Sequence, residues 1–169
     1  RSTSSTWSNS TPADLDHHTV RTYSLRTYSE SLAAVTVARL LVFFMAFPAA
    51  CRLADSTGTM ETMLLHLHLV RHGQTFFNRY NRLQGWSNSP LTDAGLADAD
   101  KAAAKLRDIE FAAAYCSDTT RAQVTAQRIL DANEAAGHVR PSLVSDMHFR
   151  EQFYGYFEGQ DMSVAWTAA

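Results

Sequence analysis

The stretch Leu64-Leu65-His66-Leu67-His68-Leu69-Val70-Arg71-His72-Gly73-Gln74-Thr75-Phe76-Phe77-Asn78 decides the fold. Its opening residues run or alternate apolar, the pattern of a buried strand, and the run stops at a charged pair followed by glycine. Arg71 and His72 are therefore expected where a strand gives way to a loop, and in open α/β sheets that carboxyl edge is where ligands bind. Gly73 takes a side chain away where a ligand needs to reach the backbone, and Thr75 is placed to cap a short helix carrying Asn78. A guanidinium, an imidazole, bare backbone and an amide within a few residues suit an anion, most naturally a phosphate. Arg-His-Gly alone fits an ordinary strand-to-loop junction equally well, so the remainder of the chain has to decide.

Downstream, Phe76–Arg82 reads as a short helix and loop whose aromatics form core or pocket wall, and Ser87-Asn-Ser-Pro-Leu-Thr92 is loop by its turn residues. Thr92 is an N-cap, after which Leu96, Ala99, Ala103 and Leu106 recur at helical spacing through Asp108. Phe111–Cys116 is a second buried strand. Strand, helix and strand in succession predict a βαβ unit with a parallel pair and a right-handed crossover, which brings the two strand ends together. Ser117 or Asp118 then caps a helix running to about Ala136, with Ala122, Ala126, Ile129 and Leu130 inward and Gly137 as its stop. Arg121 falls in its first turn, beside free backbone N–H groups and the positive end of the helix dipole, where a phosphate is favoured. Pairing of Arg121 with a surface carboxylate is the competing reading. Leu143–Met147 suggests a third strand with Phe149-Arg150-Glu151 at its outlet.

At 169 residues the chain has room for one ordinary domain. Its net charge of -2 gives no electrostatic case for binding nucleic acid or an anionic membrane. Cys51 and Cys116 form neither a metal-type spacing nor a disulfide framework, which favours a reducing compartment, and Cys116 reads as a small packed residue. Arg1–Ser31 is rich in Ser and Thr and too poor in periodic apolar residues to offset its ordering entropy, so it is expected to be unstructured. Leu40–Cys51 is a continuous apolar run after Arg39. A signal-peptide core, a membrane span and a lipoprotein-type cysteine at Cys51 each fit it in part, against its distance from the N-terminus, its length short of the roughly 20 residues a bilayer needs, and Pro48. The preferred reading leaves residues 1–60 outside the working domain, as a disordered or non-native extension with an apolar segment near 40–51, and begins the domain at 61–169. Cytoplasmic location follows, with export or anchoring as the alternative should residues 32–51 be a genuine signal or anchor.

Five ordered motifs tie these elements together: Leu69-Val-Arg71-His72-Gly73, Gln84-Gly85, Leu91-Thr92-Asp93-Ala94-Gly95, Ser117-Asp118-Thr-Thr-Arg121, and Phe149-Arg150-Glu151 followed by Gly155-Tyr-Phe-Glu158-Gly159. In this order and spacing, across Leu64 to Trp166, the chain resembles the histidine phosphatase superfamily, which includes the cofactor-dependent phosphoglycerate mutases and many small phosphohydrolases. The resemblance implies an α/β fold with three layers, α/β/α, around a mostly parallel sheet, incomplete here at the C-terminus. It implies His72 as nucleophile and Glu151 as proton donor and acceptor. Arg71, Asn78, Gln84, Gly85 and Arg121 border the phosphate, and Glu158 sits in a turn that braces the pocket. The chemistry is in-line attack on a phosphomonoester of a small phosphorylated metabolite, with guanidinium groups holding the charge, so that no metal or cofactor is needed.

The chain departs from that family at one point. Members carry a second pocket histidine followed by glycine, C-terminal of the glutamate region, and this sequence ends at Ala169 before reaching one. His138 and His148 have the wrong order or context, and His66 and His68 share a strand face as core or interface residues. The 169-residue polypeptide is expected to be weakly active or inactive and marginally stable. Three functions stay open: a phosphohydrolase, toward which the compact Phe149–Gly159 segment leans; a phosphoglycerate mutase, an isomerase; and a non-catalytic phosphate-ligand binding protein. The identity of the alcohol and the oligomeric state are not written in the sequence.

Overall fold

The structure, a computed structural model, describes residues 20–27, 42–46 and 63–167. Five strands form one sheet: β1 (Val20–Thr27), β2 (Val42–Ala46), β3 (Met63–Val70), β4 (Ala113–Ser117) and β5 (Leu143–Asp146), in the spatial order β1-β3-β2-β4-β5. β3 is the apolar run predicted at Leu64–Val70. Leu67, His68, Leu69 and Val70 are all buried, so both faces of the strand are covered where its alternation ends in the consecutive pair Leu69-Val70.

Helices α2 (Asp93–Leu106) and α3 (Thr120–Ala135) pack on each other and on the sheet. The core is a cluster of Val70, Ala114 and Cys116 from the strands with Ala102, Ala103, Leu106, Ala122, Ala126, Ile129 and Leu130 from the helices. Alanine at the helix contacts lets the two axes approach the sheet closely. Thr92 caps α2 as expected, its hydroxyl accepting from Gly95 N at 3.2 Å. Cys116 lies fully inside the core as a packed side chain.

The α/β class is as the sequence implied, with β3, β4 and β5 running in one direction. Three details differ. First, two segments of the stretch expected to be outside the domain, Val20–Thr27 and Val42–Ala46, are strands of the sheet; the other residues of 1–60 lie outside the described residues. Second, β3 and β4 are not neighbours. β2 lies between them, antiparallel to both, and Val42 is the partner of Val70 on one side and of Cys116 on the other. The parallel pair is instead β4 with β5. Third, the N-cap of α3 is Thr119, not Ser117 or Asp118, and its side chain makes no capping bond. Among the described residues no helix is long and apolar enough to cross a membrane.

Gly73 is required for a reason other than ligand access. A Cβ there would stand 2.5 Å from Gly95 O and 2.7 Å from Gly95 Cα, so the glycine lets the end of β3 lie against the first turn of α2. The chain is then pinned to that turn by Thr92 N, which donates to Gln74 O at 2.9 Å.

Candidate active site

His72 lies two residues past Val70, the end of β3, and is buried, at 8% exposure. Its Nδ1 lies 2.7 Å from the carbonyl oxygen of Gly73. A carbonyl only accepts, so Nδ1 carries the proton and the Nε2 lone pair is left unprotonated. Burial, with the Gly73 bond opposing it and the positive charges of Arg121 and Arg71 adding to it, pulls the imidazole from 6.5 down to about 3. At neutral pH the ring is uncharged.

Thr75 caps α1 (Phe76–Arg79) in a reciprocal box: Asn78 N donates to Thr75 Oγ1, and Asn78 Oδ1 accepts from Thr75 N at 3.0 Å and from the Thr75 hydroxyl at 2.9 Å. The single hydroxyl proton is thereby spent. Gln84 accordingly presents Nε2 to Thr75 Oγ1 at 2.6 Å, and its Oε1 accepts from Arg121 Nη1 at 3.1 Å and from Ser89 N at 3.2 Å. Gln84 thus links the β3 loop to the arginine on the neighbouring helix.

Arg121 projects from the first turn of α3, as the sequence indicated, and is 1% exposed. It does not pair with a surface carboxylate. Nη1 donates to Ser87 O at 2.7 Å and Nη2 to Gly85 O at 2.6 Å, so the guanidinium fastens the 85–87 loop over the helix end, while Nε is buried without a partner. Burial lowers its pKa from 12.5 to about 10; nearby Glu158 and Glu151 offset this, and Arg71 and Arg150 add to it. It stays protonated at neutral pH. The α3 N-terminus is less open than expected, because Asn88 reaches across with Oδ1 accepting from Thr120 N at 2.9 Å and Nδ2 donating to Thr120 Oγ1 at 2.8 Å.

Glu158 holds the same loop from the other side. Its carboxylate accepts from Gly85 N at 3.2 Å, Trp86 N at 2.8 Å, Ser87 N at 3.0 Å and Tyr154 N at 3.2 Å, and from the Ser87 hydroxyl. Burial raises its pKa, but these bonds together outweigh burial and hold it below the usual carboxylate range. Gly85 is a glycine because the loops meet there: a Cβ would lie 2.0 Å from Gln152 O and 2.6 Å from Glu158 Oε1.

Glu151 is engaged differently. Among the described residues its carboxylate accepts only from the adjacent Gln152 N, at 3.0 Å, while its backbone carbonyl accepts from the Trp86 indole N–H at 3.0 Å. Arg71 is exposed and makes no hydrogen bond or ion pair among the described residues. The positive charges of Arg121 and Arg71 both act to lower the His72 pKa, and the negative charges of Glu158 and Glu151 act to raise that of Arg121. His148 stands apart, exposed and paired with Asp146.

Sequence reading overlooked two members of this wall. Arg150 donates through Nε and Nη2 to the two carboxylate oxygens of Asp118, at 2.6 and 2.5 Å, and its guanidinium lies 4.7 Å from the Trp86 ring centroid. Asp118 is thus the partner of Arg150 rather than a helix cap. The signal available was a short charged run on each side, Ser-Asp-Thr-Thr-Arg and Phe-Arg-Glu, with nothing local to join them.

The model of the histidine phosphatase superfamily (branch 1) matches residues 67–167. A 2,3-bisphosphoglycerate-dependent phosphoglycerate mutase of Gloeobacter violaceus is 39% identical over 61% of this chain and 45% of its own length. Fructose-2,6-bisphosphatase TIGAR of Xenopus tropicalis is 34% identical over 57% of this chain and 35% of its own. A crystal structure of phosphoglycerate mutase from Bacillus anthracis superposes with a TM-score of 0.53 at 37% identity, covering 57% of this chain and 41% of that one. The chain spans less than half the length of these relatives.

Proposed function

The chain belongs to the histidine phosphatase superfamily, branch 1, and on that premise we propose that it moves the phosphoryl group of a small phosphomonoester to water through a phosphohistidine at His72. The observation that carries this reading is the state of the imidazole: neutral, its Nδ1 proton committed to Gly73 O, its Nε2 left with a lone pair, and the positive charges of Arg121 and Arg71 acting on the ring.

In the proposed reaction His72 Nε2 attacks phosphorus in line with the ester oxygen. Arg71 and Arg121 supply positive charge to offset the negative charge spread over the equatorial oxygens, and Asn78, whose Oδ1 is held by Thr75, offers its Nδ2. Gln84 and Gly85 act on the phosphate indirectly, by fixing Arg121. Glu151 gives its proton to the departing alcohol oxygen as the P–O bond breaks. It then takes a proton from water while that water attacks phosphorus and the P–N bond breaks, which returns neutral His72 and free phosphate. Glu158, with its carboxylate fully engaged by the loop, is the brace and not the proton carrier. No metal is needed for charge neutralisation, and cytoplasmic action on a small phosphorylated metabolite, without nucleic acid, is part of the same reading.

A second reading is transfer back to a phosphoglycerate, favoured by the name of the Gloeobacter relative. Single-turnover assays with 4-nitrophenyl phosphate and with 3-phosphoglycerate, run beside His72→Ala, separate the two. Phosphate release that depends on His72 supports the hydrolase; isomerisation of phosphoglycerate supports the mutase; phosphate binding without turnover leaves a ligand-binding protein.

A further inference from the structure

We propose that the alcohol portion of the substrate is an uncharged, flat apolar group such as an aryl ring, and that it lies on a shelf formed by Trp86 and Phe153. The proposal rests on the phosphotransfer reading above and names its substrate class.

In an in-line transfer the leaving oxygen sits opposite His72 and is handed to Glu151, so the rest of the alcohol leaves the site past Glu151. Trp86 is anchored at that point, its indole N–H on the Glu151 carbonyl at 3.0 Å and its backbone N–H on Glu158 at 2.8 Å. Phe153 leans on it with ring centroids 5.0 Å apart at 48°. These two rings are 39% and 58% exposed, although a soluble surface has no need to display them side by side next to a charged site. A fixed aromatic pair of this kind stacks against a flat partner and offers nothing to a hydrated one.

The charges nearby argue against an anionic alcohol. The guanidinium over Trp86 belongs to Arg150, whose charge is paired with the carboxylate of Asp118 through Nε and Nη2. The loops on either side carry Glu151 and Glu158. A second carboxylate on the substrate, as in a phosphoglycerate, would meet an arginine already charge-paired with Asp118 and the carboxylate of Glu158.

Calorimetric titration of the 169-residue chain with 1-naphthyl phosphate, inorganic phosphate and 3-phosphoglycerate tests this. The aryl ester is expected to bind about tenfold more tightly than either of the others. That ratio is expected to collapse toward one in Phe153→Ala, a substitution at an exposed ring that leaves no hydrogen bond broken, and in Trp86→Ala. An aryl preference that is missing, or that survives both substitutions, or a tighter 3-phosphoglycerate, overturns the shelf while leaving phosphate binding at His72 intact. Absence of any phosphate-dependent heat beyond that of His72→Ala overturns the shelf and the function together.

Discussion

His72 Nδ1 and Gly73 O, neighbours in sequence, face each other at 2.7 Å across the bend where β3 ends. The bond fixes the tautomer, and burial keeps the ring from charging until about pH 3. Nitrogen chemical shifts should therefore report Nδ1–H and bare Nε2 for this histidine at pH 7, with no titration near 6.5. The linkage has a definite sign. Below pH 6.5 the unfolded chain takes up a proton here that the folded chain refuses, so this group's contribution to stability is full above 6.5 and is lost as pH falls from 6.5 toward 3. Urea midpoints measured across that window should drop less steeply in His72→Gln than in the unsubstituted chain.

The two glutamates should separate cleanly by substitution. Glu158→Gln puts an amide NH₂ among five donors and is expected to cost about 1–3 kcal/mol in urea unfolding. Glu151→Gln disturbs one bond to an adjacent amide and is expected to change stability by less than about 0.5 kcal/mol, while slowing phosphate release by about a hundredfold or more. Because the Glu158 pKa is lowered on folding, its contribution is present above the unfolded carboxylate range and fades as pH falls through the lower folded value.

Arg121 and Gly85 form the other half of the loop's fastening. Arg121→Lys keeps a charge but has no fork with which to reach both Ser87 O and Gly85 O, and is expected to cost about 2–4 kcal/mol. Gly85→Ala drives a methyl into Gln152 O and should cost about 1–3 kcal/mol. Since both act by loosening one loop, the double variant should be less destabilised than the sum, read by denaturation of all four proteins.

Hydrogen exchange tests the arrangement of the sheet. Residues Val42–Ala46 are bonded on both edges, to β3 and to β4, so their amides should exchange on the same slow scale as those of Ala113–Ser117. Exchange of 42–46 at the rate of a free peptide would remove β2 from between those strands.

What the sequence disclosed was the local part. The alternation in Leu64–Val70, the Thr92 cap with its alanine stripe, and the Arg121 position all follow from periodicity and capping within a few residues, and each is found where the pattern put it. The strand between β3 and β4 was hidden because pairing is non-local: Val42–Ala46 lies in an apolar run whose composition equally fits an export signal, and Val20–Thr27 sets Val20, Tyr23 and Leu25 among Ser, Thr and Arg without strict alternation. The site divides in the same way. Arg71, His72, Thr75 and Asn78 are close in sequence and were legible together. That Glu158 would spend its carboxylate on the backbone of residues 85–87, more than seventy positions earlier, or that Asp118 would hold Arg150, depends on where two loops meet in space.

The central claim is that His72 Nε2 carries the phosphoryl group. Incubating the chain with 4-nitrophenyl phosphate, quenching in alkali and mapping phosphopeptides by mass spectrometry should place an acid-labile, alkali-stable phosphoryl group on His72, accumulating in Glu151→Gln and missing in His72→Ala. A phosphoryl group found on another histidine, or none on any residue of a folded chain that binds phosphate, contradicts it.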